Sequence, residues 1–186
     1  MIGVIADTHI PDRRRVLHPE VKPIFEGAGV TQILHAGDIS VPKVLDWLAE
    51  IAPVVAVRGN RDLFPSPKLP LTEIVQVAGK RIGLTHGHGS FGQYMRDKLN
   101  FMLGRYKGFD FFADRAIAML PPDVDVVVFG HNHAPMNEQR AGQLIFNPGS
   151  ACCHLDRKSA PSIGLLQLSE NEVRGEIHLL EPITSF

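Results

Sequence analysis

The chain is poor in cysteine, carries no surplus of charge and contains no long uninterrupted apolar run. Its two cysteines, Cys152 and Cys153, are neighbours, so a disulfide between them closes almost no loop and constrains the unfolded chain very little. Reduced thiols are the expectation. A formal net charge of -1 excludes a global basic field that would hold nucleic acid, and no acidic run marks a disordered tail, so any anion binding must be local. The apolar start, MIGVIAD, reaches an aspartate at position 7, too soon for a secretory segment or a membrane span. The expectation is a cytoplasmic protein with no membrane partner. There is no internal repeat, no low-complexity tract and no evident linker. A length of 186 residues with 44% hydrophobic and 21% charged content then suits one folded domain over 1–186.

Short β-branched runs recur and read as strands: Ile2 to Ala6, Gln32 to His35, Val54 to Val57, Ile74 to Val77, Arg81 to Thr85, Val124 to Phe129, Gln143 to Phe146, Ser162 to Leu168 and Val173 to Leu180. Helical stretches, Pro19 to Gly27 and Val41 to Ile51, separate the first three, the second with Ser40 as its cap and Pro42 at its start. That βαβαβ order implies parallel pairing. Ala78, Gly79 and Lys80 between two later strands suit a tight antiparallel turn, so the sheets are mixed. Pro65, Pro67 and Pro70 mark a stiff loop, and a segment from about 91 to 120, ended by Pro121 and Pro122, is expected to form two helices.

The residues just past the apolar runs are the informative feature. Asp7 and His9 lie beyond the first strand, Asp38 beyond the second, Asn60 beyond the third, His86 and His88 beyond the fifth, and His131 and His133 beyond the sixth. Each has a plain explanation alone: an aspartate after glycine is often a turn residue, and a lone histidine is more often packed than a ligand. Those explanations would have to hold independently at five strand ends. The crevice beyond the carboxyl ends of strands is where ligands bind in open α/β sheets, so convergence on one metal site is the better reading. Gly130 leaves room at the strand end, and His131 and His133, two apart in extended chain, would point into the same pocket. Asp, Asn and His without cysteine suit manganese, iron or zinc rather than a magnesium or calcium cage. The ligands are too many for one ion, and two ions sharing a carboxylate form a known clamp for hydrolysis at phosphorus.

These residues resemble the calcineurin-like metallophosphoesterase superfamily, whose pattern of D-x-H, G-D, G-N, a lone His and G-H-x-H is met in order by Asp7-Thr8-His9, Gly37-Asp38, Gly59-Asn60-Arg61-Asp62, His86 and Gly130-His131-Asn132-His133. The small size and the closing Asn147-Pro148-Gly149-Ser150 resemble its compact bacterial and archaeal phosphodiesterase branch, the YfcE type. The resemblance implies a four-layer αββα sandwich of two mixed sheets, and a metal-bridging hydroxide as nucleophile. It implies that Asp7, His9 and His133 bind one divalent ion, that Asn60, His86 and His131 bind a second, and that Asp38 bridges them. Manganese is the first choice of metal, with zinc, iron, nickel or cobalt as alternatives. Catalytic work would fall to Asp38, Asn60, Arg61 and His131 on a small phosphate ester, a diester before a monoester. Where many members carry a histidine, this chain has Arg61, which can clamp phosphate but stays protonated and cannot act as a general acid; pairing with Asp62 on a turn is the competing reading. A catalytically silent protein-binding scaffold of the retromer-subunit kind and a metallonuclease are the rival functions.

Weaker signals remain. One of Arg13, Arg14 and Arg15 could line the site mouth, His88 is read as a turn residue, His35 as a packed core histidine, and His154 and Arg157 as distant candidates for substrate contact. The 91–120 insertion, with Met95, Leu99, Met102, Leu103 and Tyr106 among Arg96, Lys98, Arg105 and Lys107, has three readings. It is an amphipathic helical pair packed on its own domain, a dimer face or cap over the pocket, or an aromatic and basic nucleic-acid surface.

Overall fold

Strands of alternating burial and helices with one apolar face leave few ways to exclude water, and a computed structural model, which describes residues 1–62, 69–105, 110–153 and 160–182, has two sheets packed face to face between helices. Chain order is β1 (Ile2–Ile5), α1 (Val21–Gly27), β2 (Gln32–His35), α2 (Lys43–Ala49), β3 (Val54–Ala56), β4 (Thr72–Val77), β5 (Lys80–Thr85), α3 (Phe91–Met102), α4 (Asp110–Ala118), β6 (Val126–Val128), β7 (Met136–Arg140), β8 (Gln143–Asn147), β9 (Ser162–Leu168) and β10 (Val173–Leu179). The first sheet runs β10-β9-β1-β2-β3 and the second β4-β5-β6-β8-β7. Both are mixed, with β1, β2 and β3 parallel in one and β5, β6 and β8 parallel in the other. This is the four-layer αββα sandwich.

Alternation along β1 assigns the layers. Ile2 and Val4 join Leu34, Ile82, Leu84, Val126, Val128 and Phe146 in the core between the sheets. Ile5, one pleat on, joins Phe25 of α1 and Val44 and Leu48 of α2 on the outer face. On the far side of the second sheet, Val127 and Ile145 meet Phe112, Ala113 and Ala116 of α4. Each fully buried aliphatic or aromatic side chain here contributes about 1.5–3 kcal/mol, which is why this two-residue period decides the layers.

Several local expectations change. β7, MNEQR, is a strand that the apolar pattern does not announce, because it is polar and carries no β-branched residue; it is an edge strand with only β8 beside it. The turn between β4 and β5 contains two residues rather than three, Ala78 and Gly79, both at positive φ, with Val77 opposite Lys80. That is the twist a two-residue hairpin requires. Ser40 does not cap α2, whose N-cap is Pro42 with no side-chain cap; Ser40 lies at φ 70° with its N–H on Asp62.

The two helices of the 91–120 insertion behave differently. α4 packs on the second sheet, whereas α3 buries no residue and is held by a capping box between Ser90 and Gln93 and by an ion pair from Asp97 to Arg115 of α4. One side of α3 leaves Phe91 and Met102 each 74% exposed. Pro65, Pro67, Tyr106, Lys107, His154 and Arg157 lie outside the described residues. Among the described residues no helix is long and apolar enough to cross a membrane.

Candidate metal centre

Five parallel strands, β1, β2 and β3 of one sheet and β5 and β6 of the other, end on one edge of the sandwich, and the loops after them carry all seven candidate ligands. Backbone pairing continues past the strands: Asp7 N–H donates to Gly37 O at 3.0 Å and His9 N–H to Asp38 O at 3.1 Å. The first two loops are thereby locked together.

The side chains form two linked halves. In one, His9 Nε2 and His133 Nε2 stand 3.1 Å apart, with Asp7 Oδ1 at 3.7 Å and 3.3 Å from them. In the other, His86 Nε2 lies 3.2 Å from Asn60 Oδ1 and 3.5 Å from Asp38 Oδ1. Asp38 spans both, since its Oδ2 is 3.8 Å from His9 Nε2. Two buried trios could each hold an ion, Asp7 with His9 and His133, and Asp7 with Asp38 and His86. His131 joins neither, although its ring centre is 5.0 Å from that of His86 and it lines the same cleft.

Neighbouring groups orient these ligands. His86 Nδ1 donates to Ala36 O at 2.7 Å and His133 Nδ1 to Cys153 O at 2.8 Å; a carbonyl only accepts, so each ring turns its Nε2 into the site, a bare lone pair whenever the ring is neutral. Asp7 Oδ2 accepts His131 N–H at 3.0 Å, while Asp7 Oδ1 is buried without a hydrogen-bond partner. Lone pairs of that kind and an orphaned carboxylate oxygen facing one point repel one another unless a proton or a metal ion sits among them. Separations of 3.1 and 3.3 Å fall within roughly 3.0–3.4 Å, the ligand-to-ligand edges around an ion with ordinary bond lengths, and the third, 3.7 Å, is slightly longer. The donor set therefore fits a divalent metal.

The ionisation of the site reflects the same crowding. Burial, with the like charge of Asp7, pushes the Asp38 carboxyl up to about 6 although His86 opposes it. Burial alone would also raise Asp7, but His133 holds it well below the usual carboxylate range. Burial lowers His9 to about 3 and His131 well below its ordinary value, whereas Asp7 outweighs burial at His133 and lifts it to about 10.

The geometry differs from the extended-chain expectation. His131 and His133 do not leave an extended backbone; they stand at φ 76° and 55°, and although both line the same cleft, His133 lies beside Asp7 and His9 while the His131 ring lies beside His86. Asp7, His9 and Asp38 are also left-handed, at 52°, 49° and 55°. Such residues cost of order 1–3 kcal/mol each and persist where surrounding structure enforces them. Close backbone approach adds a further restriction: a Cβ on Gly59 would lie 2.1 Å from Asp38 Oδ1, and one on Gly130 2.9 Å from Asp7 Oδ2.

Arg61 does not pair with Asp62. Its Nη1 is 3.5 Å from Asp12, with both side chains over 40% exposed, and it lines the cleft. Asp62 is buried and accepts two backbone N–H groups, Ser40 at 2.7 Å and Gly59 at 2.8 Å. Asn147 is a second staple that the sequence does not reveal, donating to Gly130 O at 3.1 Å and to Asn132 Oδ1 at 2.8 Å. His35 is buried as expected: its Nδ1 accepts Gly37 N–H at 3.2 Å, so Nε2 donates to Thr8 Oγ1 at 3.3 Å. His88, in the loop after β5, is a buried neighbour of His86. Arg13 lines the cleft and reaches Cys153 Sγ at 3.2 Å, and both cysteines are free thiols.

Residues 1–171 match the model of the calcineurin-like phosphoesterase superfamily domain. A Methanothermobacter thermautotrophicus protein named "probable metallophosphoesterase" is 33% identical over 95% of this chain and 91% of its own length. A Methanocaldococcus jannaschii phosphodiesterase is 26% identical over 93% of this chain and 96% of its own. Among solved structures, vacuolar protein sorting 29 from Cryptosporidium parvum superposes with a TM-score of 0.70 at 22% identity, covering 97% of this chain and 91% of that one. The chain belongs to the calcineurin-like phosphoesterase superfamily.

Proposed function

We propose that the chain is a binuclear-metal phosphodiesterase. In this reading Asp7, His9 and His133 hold one divalent ion, Asn60, His86 and His131 the other, and Asp38 bridges them. The observation that carries it is the placing of the two Asp38 oxygens toward different halves, 3.8 Å from His9 and 3.5 Å from His86, a separation of roles that one ion would not need. Two such ions supply the Lewis acidity and the ionised water that hydrolysis at phosphorus requires at neutral pH. Manganese heads the candidates on ligand type, with zinc, iron, nickel and cobalt also suited to the donor set.

The chain's own residues do the rest. Asn60 and Arg61 line the cleft beside the cluster and offer N–H donors to phosphoryl oxygens. Arg61 is only loosely tied, because an exposed pair such as Arg61–Asp12 is worth about 0–1 kcal/mol, so it exchanges readily onto a substrate phosphate. A guanidinium has no proton to lend a departing alkoxide, so esters with acidic leaving groups are favoured. The likeness to vacuolar protein sorting 29 supports the scaffold reading at the level of the fold; two buried ligand trios that share Asp7 favour hydrolysis. A net charge of -1 argues against a nuclease.

The test is hydrolysis of bis(p-nitrophenyl) phosphate beside p-nitrophenyl phosphate, using chelator-stripped protein resupplied separately with manganese, zinc, nickel and magnesium. The expected result is metal-restored cleavage that favours the diester. Faster turnover of the monoester would overturn the diester preference, and no cleavage with any metal would bring the scaffold forward.

A further inference from the structure

The candidate centre occupies one end of a much larger cleft, about 740 Å³, whose opposite wall is the insertion. His9, Asp38, Asn60, His131 and His133 line the inner end; residues of α3, α4 and the turn after α3 line the rest. That volume lies within the range that engulfs ligands of drug size and far exceeds a phosphoryl group with a small alkyl chain. The wall carries two kinds of chemistry. Tyr94, Phe101 and Phe111 present aromatic surface, and Arg115 lies over the Phe111 ring at 4.4 Å while Asp97 holds it in place. Arg96, Lys98 and Arg105 are exposed cations on the same wall, and among the described residues no carboxylate pairs with any of them, in contrast to Arg61 and Arg115.

Resting on the phosphodiesterase reading, we infer that this wall is a subsite for the remainder of a nucleoside diphosphate ester, with the aromatic residues receiving the base and Arg96, Lys98 and Arg105 the second phosphate. A simple diester carries one negative charge, which the metal centre and Arg61 already answer, so three further cations in the same cleft, without a carboxylate partner among the described residues, match a second anionic group. Aromatic faces accept a base by stacking whatever its hydrogen-bond pattern. The reaction consumes one water and breaks one P–O bond of the anhydride, leaving a nucleoside monophosphate and a sugar phosphate. The helix left outside the hydrophobic core thus has a job: it carries the wall that reads the leaving group.

The probe is ADP-ribose, followed by AMP release with manganese-loaded full-length protein, beside bis(p-nitrophenyl) phosphate and a short oligothymidylate. The expected result is a kcat/KM for ADP-ribose at least about tenfold above that for the aryl diester. The triple variant R96A/K98A/R105A should lower that preference by about tenfold or more, through KM rather than kcat, and Phe101→Ala, at an exposed position, should lower it in the same sense. Cleavage of the aryl diester with no preference for ADP-ribose overturns the subsite and leaves the phosphodiesterase reading intact. An equal loss on both substrates in the triple variant, or faster cleavage of the oligonucleotide, also overturns it. Absence of cleavage of all three probes overturns the underlying reading instead.

Discussion

Replacing Asp38 with Ala is expected to lower diester hydrolysis by roughly three orders of magnitude or more while the protein stays folded. The side chain is 3% exposed and meets three groups: His9 at 3.8 Å, His86 at 3.5 Å and the Arg61 N–H at 2.8 Å. In the proposed mechanism it is the group common to both halves, so without it the residues that would hold the two ions would lose their shared ligand. The fold loses less, because a carboxyl that burial raises to about 6 is held there at a cost to stability, and its loss relieves that cost. Asp38→Asn keeps an oxygen for the Arg61 N–H and removes the charge, and it should be nearly as inactive as Ala. Circular dichroism and thermal melting check the fold; turnover above about a tenth of wild type in either variant sinks the bridging role.

Asp62→Ala should be the most destabilising single change at the site edge, although Asp62 is not a proposed ligand. Its carboxylate joins the loop after β2, through Ser40, to the loop after β3, through Gly59. Deleting it strands two buried backbone N–H groups, each costing about 1–3 kcal/mol, for a total of about 2–6 kcal/mol. For a chain of this length each kcal/mol moves Tm by about 2–4 °C, so a fall of about 4–24 °C is expected. Because Asn60 lies between Gly59 and Asp62, metal affinity should fall with it. Asp62→Asn keeps one acceptor oxygen and should fall between the two. A Tm within about 2 °C of wild type for the alanine variant would show that the two loops hold without this staple.

The candidate ligands are legible in the sequence because each sits immediately beyond an apolar run, where residue type and chain order carry the information. Parallel strands then bring those points to one edge, and β1, β2, β3, β5 and β6 do so. The left-handed backbone of His131 and His133 is not legible, because such a conformation at non-glycine residues is enforced by tertiary contacts such as Asp7 on the His131 N–H. Sequence adjacency offers Asp62 as a surface partner of Arg61, since acid beside base in a loop usually is; its real partners are 22 residues upstream and three residues back. β7 escapes notice because an edge strand with three exposed polar residues has no hydrophobic period to detect. The insertion's apolar residues imply packing for both helices, and only α4 obeys. α3 is stabilised locally, by its cap and by Asp97, and its position over the cleft is set by tertiary arrangement alone.

The most direct test of the central claim is a manganese titration of chelator-stripped protein, with bound metal measured by equilibrium dialysis and bis(p-nitrophenyl) phosphate hydrolysis measured on the same samples. Activity should appear as the second equivalent binds and saturate at two ions per chain. Full activity at one ion per chain, or activity in protein holding none, would contradict the binuclear account.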